Sequence, residues 1–79
     1  MSENPPHYLT LGYQPWQQRV IDEKSDLDIR CAALQKFIHL DNKTYADLPF
    51  EECQRLCCQY ELMLELSQVL AERIAAFKI

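Results

Sequence analysis

Seventy-nine residues carrying a formal net charge of −4 allow one domain at most, and so short a chain seldom builds a core worth more than about 3–5 kcal/mol without a staple or a partner. A composition of 48% hydrophobic and 25% charged residues excludes wholesale disorder. The acidic balance argues against a duplex-binding protein, which needs clustered Lys and Arg, and no apolar run approaches the roughly 20 residues of a membrane span.

Residues 1–14 read as an irregular aromatic leader. Pro5, Pro6 and Gly12, with Pro15 just beyond, forbid a continuous helix. Its first stretch, "MSENPPHYL", has neither a positive n-region nor an apolar h-region, so no signal peptide is expected and the chain reads as cytoplasmic. Tyr8, Tyr13 and Trp16 fall within nine positions.

Pro15 suits the first position of a helix, where its missing N–H costs nothing. From there Val20, Leu27, Cys31, Leu34 and Ile38 recur in alternating steps, with Lys24 in the remaining slot. That is a heptad seam, widened by Ile21, Ala32 and Phe37, and it predicts a first helix over about residues 15–40. His39 suits the negative end of that helix. The segment "DNKTYAD", 41–47, is expected as a loop, because Asp, Asn and Thr side chains compete for backbone hydrogen bonds. A second helix start follows in "DLPFEE": Asp47 or its neighbour as cap, Pro49 in the first turn, Glu51 and Glu52 at the positive dipole end. Its seam runs Cys53, Leu56, Tyr60, Met63, Ser67, Leu70, Ile74 and Phe77, which carries the helix to about residue 77.

Two helices with facing seams and a short loop make an antiparallel hairpin, so residues 15–79 are expected as a single all-α domain. Leu64 and Ala71 flank the second seam on one side; Leu62, Leu66, Val69 and Ala76 lie further round on the other. A helix apolar over so much of its circumference needs a cover, which predicts self-association into a helical bundle or ring. Ser67 makes room in the seam for a large residue opposite. Arg73, beside Glu72, reads as a surface ion pair, and the run Asp22, Glu23, Asp26, Asp28 as a solvated face.

Cys31, Cys53, Cys57 and Cys58 are spaced unlike a zinc ribbon or finger. Cys53 and Cys57, four residues apart, could with Cys31 and His39 supply four ligands on paper, but the expectation is free thiols acting as small apolar residues, with no metal and no cofactor. No nucleophile–base–orienter set and no Gly-rich phosphate loop is present, so no enzymatic activity is expected.

The stretches "PWQQRVIDEKSDLDIRCAALQKFI" and "LPFEECQRLCCQYELMLELSQVLAERIAAF" resemble a group of small phage and prophage proteins of unknown function, known from an open reading frame of a gut crAss-like phage. The shared pattern is Q-R-V-x-x-E-K-x-E/D-L-D (here from Gln18), then L-x-x-F-I (from Leu34), E-x-x-R-L-x-x-Q (from Glu52), Met63 and V-L-x-E-R-I-x-x-F (from Val69). The pattern departs at Cys57, Cys58 and Leu66. In size and hairpin architecture the group is similar to the phage anti-CBASS sponges, helical oligomers that hold a cyclic oligonucleotide between protomers.

That resemblance implies a cytoplasmic anti-defence protein of a bacterial host cell, partnered by itself and by a cyclic di- or trinucleotide. Such a ligand wants aromatic faces for its bases and cations for its phosphates. The candidate ligand-binding residues are therefore Tyr8, Tyr13, Trp16, Arg19 and Lys24. Each has a structural alternative. Tyr13 and Trp16 suit staples closing the end of the bundle, Arg19 suits a pair with Glu23 at i+4, and Lys24 suits Asp28. The alternative function is a protein-interaction module that inhibits a host protein or immune complex through its acidic helical surface.

Overall fold

The computed structural model describes residues 12–77, and among them every regular element is helical. Helix α1 covers Pro15–Phe37, a one-turn helix α2 covers Lys43–Ala46, and α3 covers Phe50–Ala75. Helices α1 and α3 pack along their length as the expected antiparallel hairpin. Most of the leader, including Tyr8, lies outside the described residues.

The seam is where the heptad spacing puts it. Val20, Leu27 and Cys31 of α1 are buried against Leu70, which at 2% exposure is the most enclosed of the core side chains. Tyr60, Met63, Ile74 and Phe77 pack around that core, half-buried. Leu70 holds this place because its neighbours at three- and four-residue spacing on α3 present one stripe to α1.

The start of α1 uses a side chain that the periodicity does not reveal. Gln17 is buried, and its Oε1 accepts the Gln14 N–H at 2.7 Å, which satisfies one of the donors a helix start leaves orphaned. Just before it, Gly12 turns the chain at φ 88°, in the left-handed region that only glycine enters without steric cost. Pro15 occupies the first helical position, as its geometry requires.

The end of α1 differs from the sequence expectation. The helix stops at Phe37, three residues short of 40, because Asn42 competes for its last carbonyls. Asn42 Nδ2 donates to the Phe37 carbonyl at 3.1 Å, while Asn42 Oδ1 accepts the N–H groups of Thr44 and Tyr45 at 3.0 and 3.5 Å. One amide therefore caps the end of one helix and the start of the next. Ile38, expected in the seam, becomes the C-cap, and His39 falls beyond the helix rather than in its last turn.

The expected loop 41–47 contains α2, whose one turn is closed by a Lys43–Asp47 ion pair at 2.9 Å. Asp47 is thereby committed to α2 and does not cap α3. Pro49 stands at the N-cap of α3 instead, with its carbonyl accepting the N–H groups of Glu52 and Cys53. Glu51 and Glu52 occupy the first turn as expected. Helix α2 buries Tyr45, whose ring meets Phe37 edge-on at 5.9 Å. Cys53 Sγ donates to the Tyr45 carbonyl at 3.5 Å, and the Tyr45 hydroxyl sits 3.4 Å from Cys57 Sγ. The connector is thus bound to both long helices.

Shortening Leu70 to Ala removes the side chain around which the seam closes. The expected loss is about 2–5 kcal/mol of unfolding free energy, read by denaturant titration; a loss below about 1 kcal/mol contradicts this packing. The Tyr45 phenol is pushed up to about 12, chiefly by its hydrogen bond with Cys57 and then by burial. Titration followed at the phenolate absorbance is expected to show a tyrosine step well above about pH 10, and that step is expected to fall toward about pH 10 in Cys57→Ala.

Candidate functional site

The heptad seams carry polar residues at Lys24 on α1 and Ser67 on α3, and the structure uses both in a clasp between the helices. Lys24 Nζ lies 2.6 Å from Asp28 Oδ2, and Ser67 Oγ donates to Asp28 Oδ1 at 2.5 Å. The hydrogen bond from Lys24, and next that from Ser67, holds the Asp28 carboxyl below the usual carboxylate range. Ser67 is therefore a partner for a carboxylate, not a gap left for a large side chain opposite.

The remaining surface of the hairpin has two flanks. On the flank away from Lys24, residues at three- and four-residue steps along α1 open into a groove of about 470 Å³. Arg19 and Arg30 stand toward its two ends. Asp22, Glu23 and Asp26 lie between them, and Leu27 and Leu66 form the apolar floor. Leu66 also borders a second hollow, of about 390 Å³, which runs along α3 past Cys58, Gln59, Leu62 and Met63 to Arg55. The two hollows share Leu66 and form one face. Arg73 follows Leu66 by seven residues, so it falls on the same stripe. All four arginines of this acidic chain thus lie on one side of the hairpin. Leu62 is 59% exposed there, and Leu66 and Val69 are also exposed.

The candidate residues from the sequence are only partly brought together. Tyr13 and Trp16 both meet Phe77 edge-on, at 6.2 and 5.3 Å between centroids. They close the end of the hairpin, the structural role weighed for them above. Trp16 nevertheless keeps 49% of its surface exposed. It stands one turn before Arg19, which lines the groove. Lys24 lies on the other flank, bound to Asp28. The pairs Arg19–Glu23 and Glu72–Arg73 are not among the ion pairs closed between described residues, which are Lys24–Asp28, Lys43–Asp47 and Arg55–Glu52.

Glu23, Asp26, Arg30 and Leu66 are groove residues that the sequence reading did not gather. The signal was present as two arginines eleven residues apart, three turns of one helix, each with a carboxylate four residues away. Which flank they share with Leu66 depends on how α1 is rotated against α3.

The thiols fall into different environments. Cys31 is in the core; Cys53 and Cys57 are half-buried around Tyr45; Cys58 is exposed. A cleft of about 320 Å³ runs past the last three, with Phe50 and Glu61 on its rim. Among the described residues no group of three or more His, Cys, Asp or Glu side chains converges as a metal site.

Comparison with known proteins gives one family. Its model, described as Sequestin, matches residues 14–76, a span that includes all three helices. No curated protein and no solved structure matches the chain.

The Asp28 clasp makes stability depend on acid. A carboxyl held below its unfolded value of about 3.9 contributes stability that is complete above that pH and is lost as the pH falls through the folded value. The melting temperature is therefore expected to decline below about pH 4, and the decline is expected to be shallower in Asp28→Asn. Parallel acid profiles for the two proteins contradict the clasp.

Proposed function

The chain belongs to the Sequestin family, and from that premise we propose that it sequesters a small anionic messenger, a cyclic oligonucleotide, as a phage-encoded anti-defence protein in a bacterial cytoplasm. The family name denotes withholding rather than turnover, and the proposed role is binding without catalysis. The observation that carries the reading is that the half-exposed Trp16 precedes Arg19, a residue of the α1 groove, by one turn of the helix. Base–aromatic stacking is indifferent to sequence and worth about 1–3 kcal/mol per base, and a guanidinium meets a phosphate with two parallel hydrogen bonds. Tyr13, against Phe77, supports the indole from the end of the hairpin, and Tyr8 precedes it in the leader. Lys24 is assigned to the clasp, and it meets phosphate only by releasing Asp28.

The pocket is proposed to be completed by a second copy. A groove open along one side leaves much of a cyclic dinucleotide in water, whereas tight small-molecule sites enclose most of the ligand surface. The exposed Leu62, Leu66 and Val69 adjoin this groove and gain by being covered. No described helix is long and apolar enough to cross a membrane.

The alternative reading, a protein-interaction module, is favoured by a different surface. Glu61, Glu65 and Glu72 are exposed on the outer side of α3, a row of carboxylates that suits a basic partner.

Calorimetry against a panel of cyclic di- and trinucleotides, with light scattering on the same sample, tests the proposal. The expected result is submicromolar binding by a particle heavier than one chain. Trp16→Ala is expected to lose about 1–3 kcal/mol of affinity, and Arg19→Ala to weaken the same ligand, more so at low salt. Absence of binding below high micromolar concentration turns the assignment to the protein-interaction alternative.

A further inference from the structure

We infer that α3 pairs antiparallel with the α3 of a second copy across a two-fold axis at Leu62, an inference that rests on the second copy proposed above and assigns its contact face and register. One flank of α3 carries a stripe that the seam does not use. Cys58, Leu62, Leu66 and Val69 form its apolar middle, Glu51 and Arg73 stand at its two ends, and all six are exposed. At about 100° per residue they lie within about 40° of the direction of Leu62, whereas the seam residues Leu70, Ile74 and Ser67 lie about 80–140° round the helix. Apolar side chains exposed in so narrow a row gain by being covered.

The stripe is symmetric in position about Leu62. Cys58 and Leu66 lie four residues to either side of it, Arg55 and Val69 seven, and Glu51 and Arg73 eleven. A two-fold contact uses this symmetry, because it sets each residue before the axis against the residue equally far beyond it in the other copy. Leu62 then meets its own counterpart and Cys58 meets Leu66, whose side chain enters the hollow of about 390 Å³ around Leu62. The Arg55 stem lies along Val69 while its guanidinium keeps Glu52 at 2.9 Å. Glu51 meets Arg73 twice, once on each side of the axis. Neither is among the ion pairs closed between described residues. Parallel pairing would instead set Glu51 against Glu51 and Arg73 against Arg73, which costs energy.

The eleven-residue interval lets the contact run along most of α3. Eleven residues make three turns at about 3.67 residues each, so the stripe drifts by only about 20° per interval. Two such helices lie nearly aligned, and the charged ends, about 16 Å from the two-fold axis, stay within side-chain reach. A crossing of about 50° would carry those ends roughly 14 Å apart and leave the charges unmatched. Leu66 also floors the α1 groove, so in this register the first half of the partner's α3 closes the groove on that side.

Light scattering and mild oxidation of the full chain test the inference. The expected mass at micromolar concentration is an even multiple of the 9.3 kDa chain. Arg73→Glu is expected to weaken association about tenfold or more, since like charges then meet on both sides of the axis, and adding Glu51→Arg is expected to restore it. Oxidised Leu62→Cys is expected to run as a disulfide-linked dimer. The wild type is not, because in this register two Cys58 stand about 12 Å apart along the helices, beyond disulfide reach. A monomeric mass, no cross-link at Leu62→Cys, no rescue by the double charge exchange, or a wild-type cross-link through Cys58 overturns the pairing. Cyclic nucleotide bound by a monomer overturns the pairing while sequestration stands. A dimer of this register that binds none of the cyclic nucleotides supports the pairing and overturns sequestration instead.

Discussion

Everything else in this hairpin depends on the closure of α1 over Leu70. Two helices side by side enclose little, and only Val20, Leu27, Cys31, Tyr45 and Leu70 among the described apolar residues are buried. With so few side chains withdrawn from water, the rotation of each helix about its own axis must be held by other means. The Lys24–Asp28–Ser67 clasp supplies one. An apolar pair in its place tolerates small rotations, whereas a carboxylate bonded to a hydroxyl on the opposite helix does not. The clasp therefore fixes which residues point outward on each flank, and the groove is a consequence of that choice.

The two ends of the hairpin are closed by aromatic contacts of different kinds. At one end Phe77 receives the edges of Tyr13 and Trp16, which keeps the indole beside Arg19 without hiding its outer face. At the other end Asn42 and Tyr45 tie the connector down. Asn42 satisfies backbone groups of both α1 and α2, and Tyr45 contacts Phe37 from one side and the Cys53 and Cys57 thiols from the other. Cysteine suits this place because it is small and weakly polar, able to lie against an aromatic ring and still meet a hydroxyl or carbonyl. The departure from the family-like pattern at Cys57 has this physical use.

The surface of this acidic chain does not distribute its cations evenly. Among the described residues Lys24 and Lys43 are paired to carboxylates, whereas the arginines share one side. Arginine differs from lysine in presenting a planar fork that binds bidentately and stacks. Concentrating that side chain beside exposed Leu62 and Leu66 produces a face with directional donors and apolar area together. The same apolar area accounts for the surplus that the second helix carries beyond the needs of its seam.

By itself the sequence determined the parts of this protein that are local. Heptad spacing located both long helices and named the seam positions, because periodicity along a helix needs no knowledge of the partner. Pro15 marked the start of α1, and Pro49 placed the start of α3 to within one residue. The pairing of Lys24 with Asp28 was also legible, four residues along one helix. What only the tertiary structure decided involves residues far apart in the chain. Helix α1 stops at Phe37 because Asn42 reaches back to its carbonyl. Tyr45, read as loop, is buried because Phe37 and the α3 thiols converge on it. Ser67 meets Asp28 across 39 positions. Arg19 separates from Lys24 and joins Arg30 and Leu66 because those residues share a flank only once α1 has settled at one rotation against α3. A sequence pattern specifies the face of each helix, but the angle between two faces is set by the side chains that meet across them.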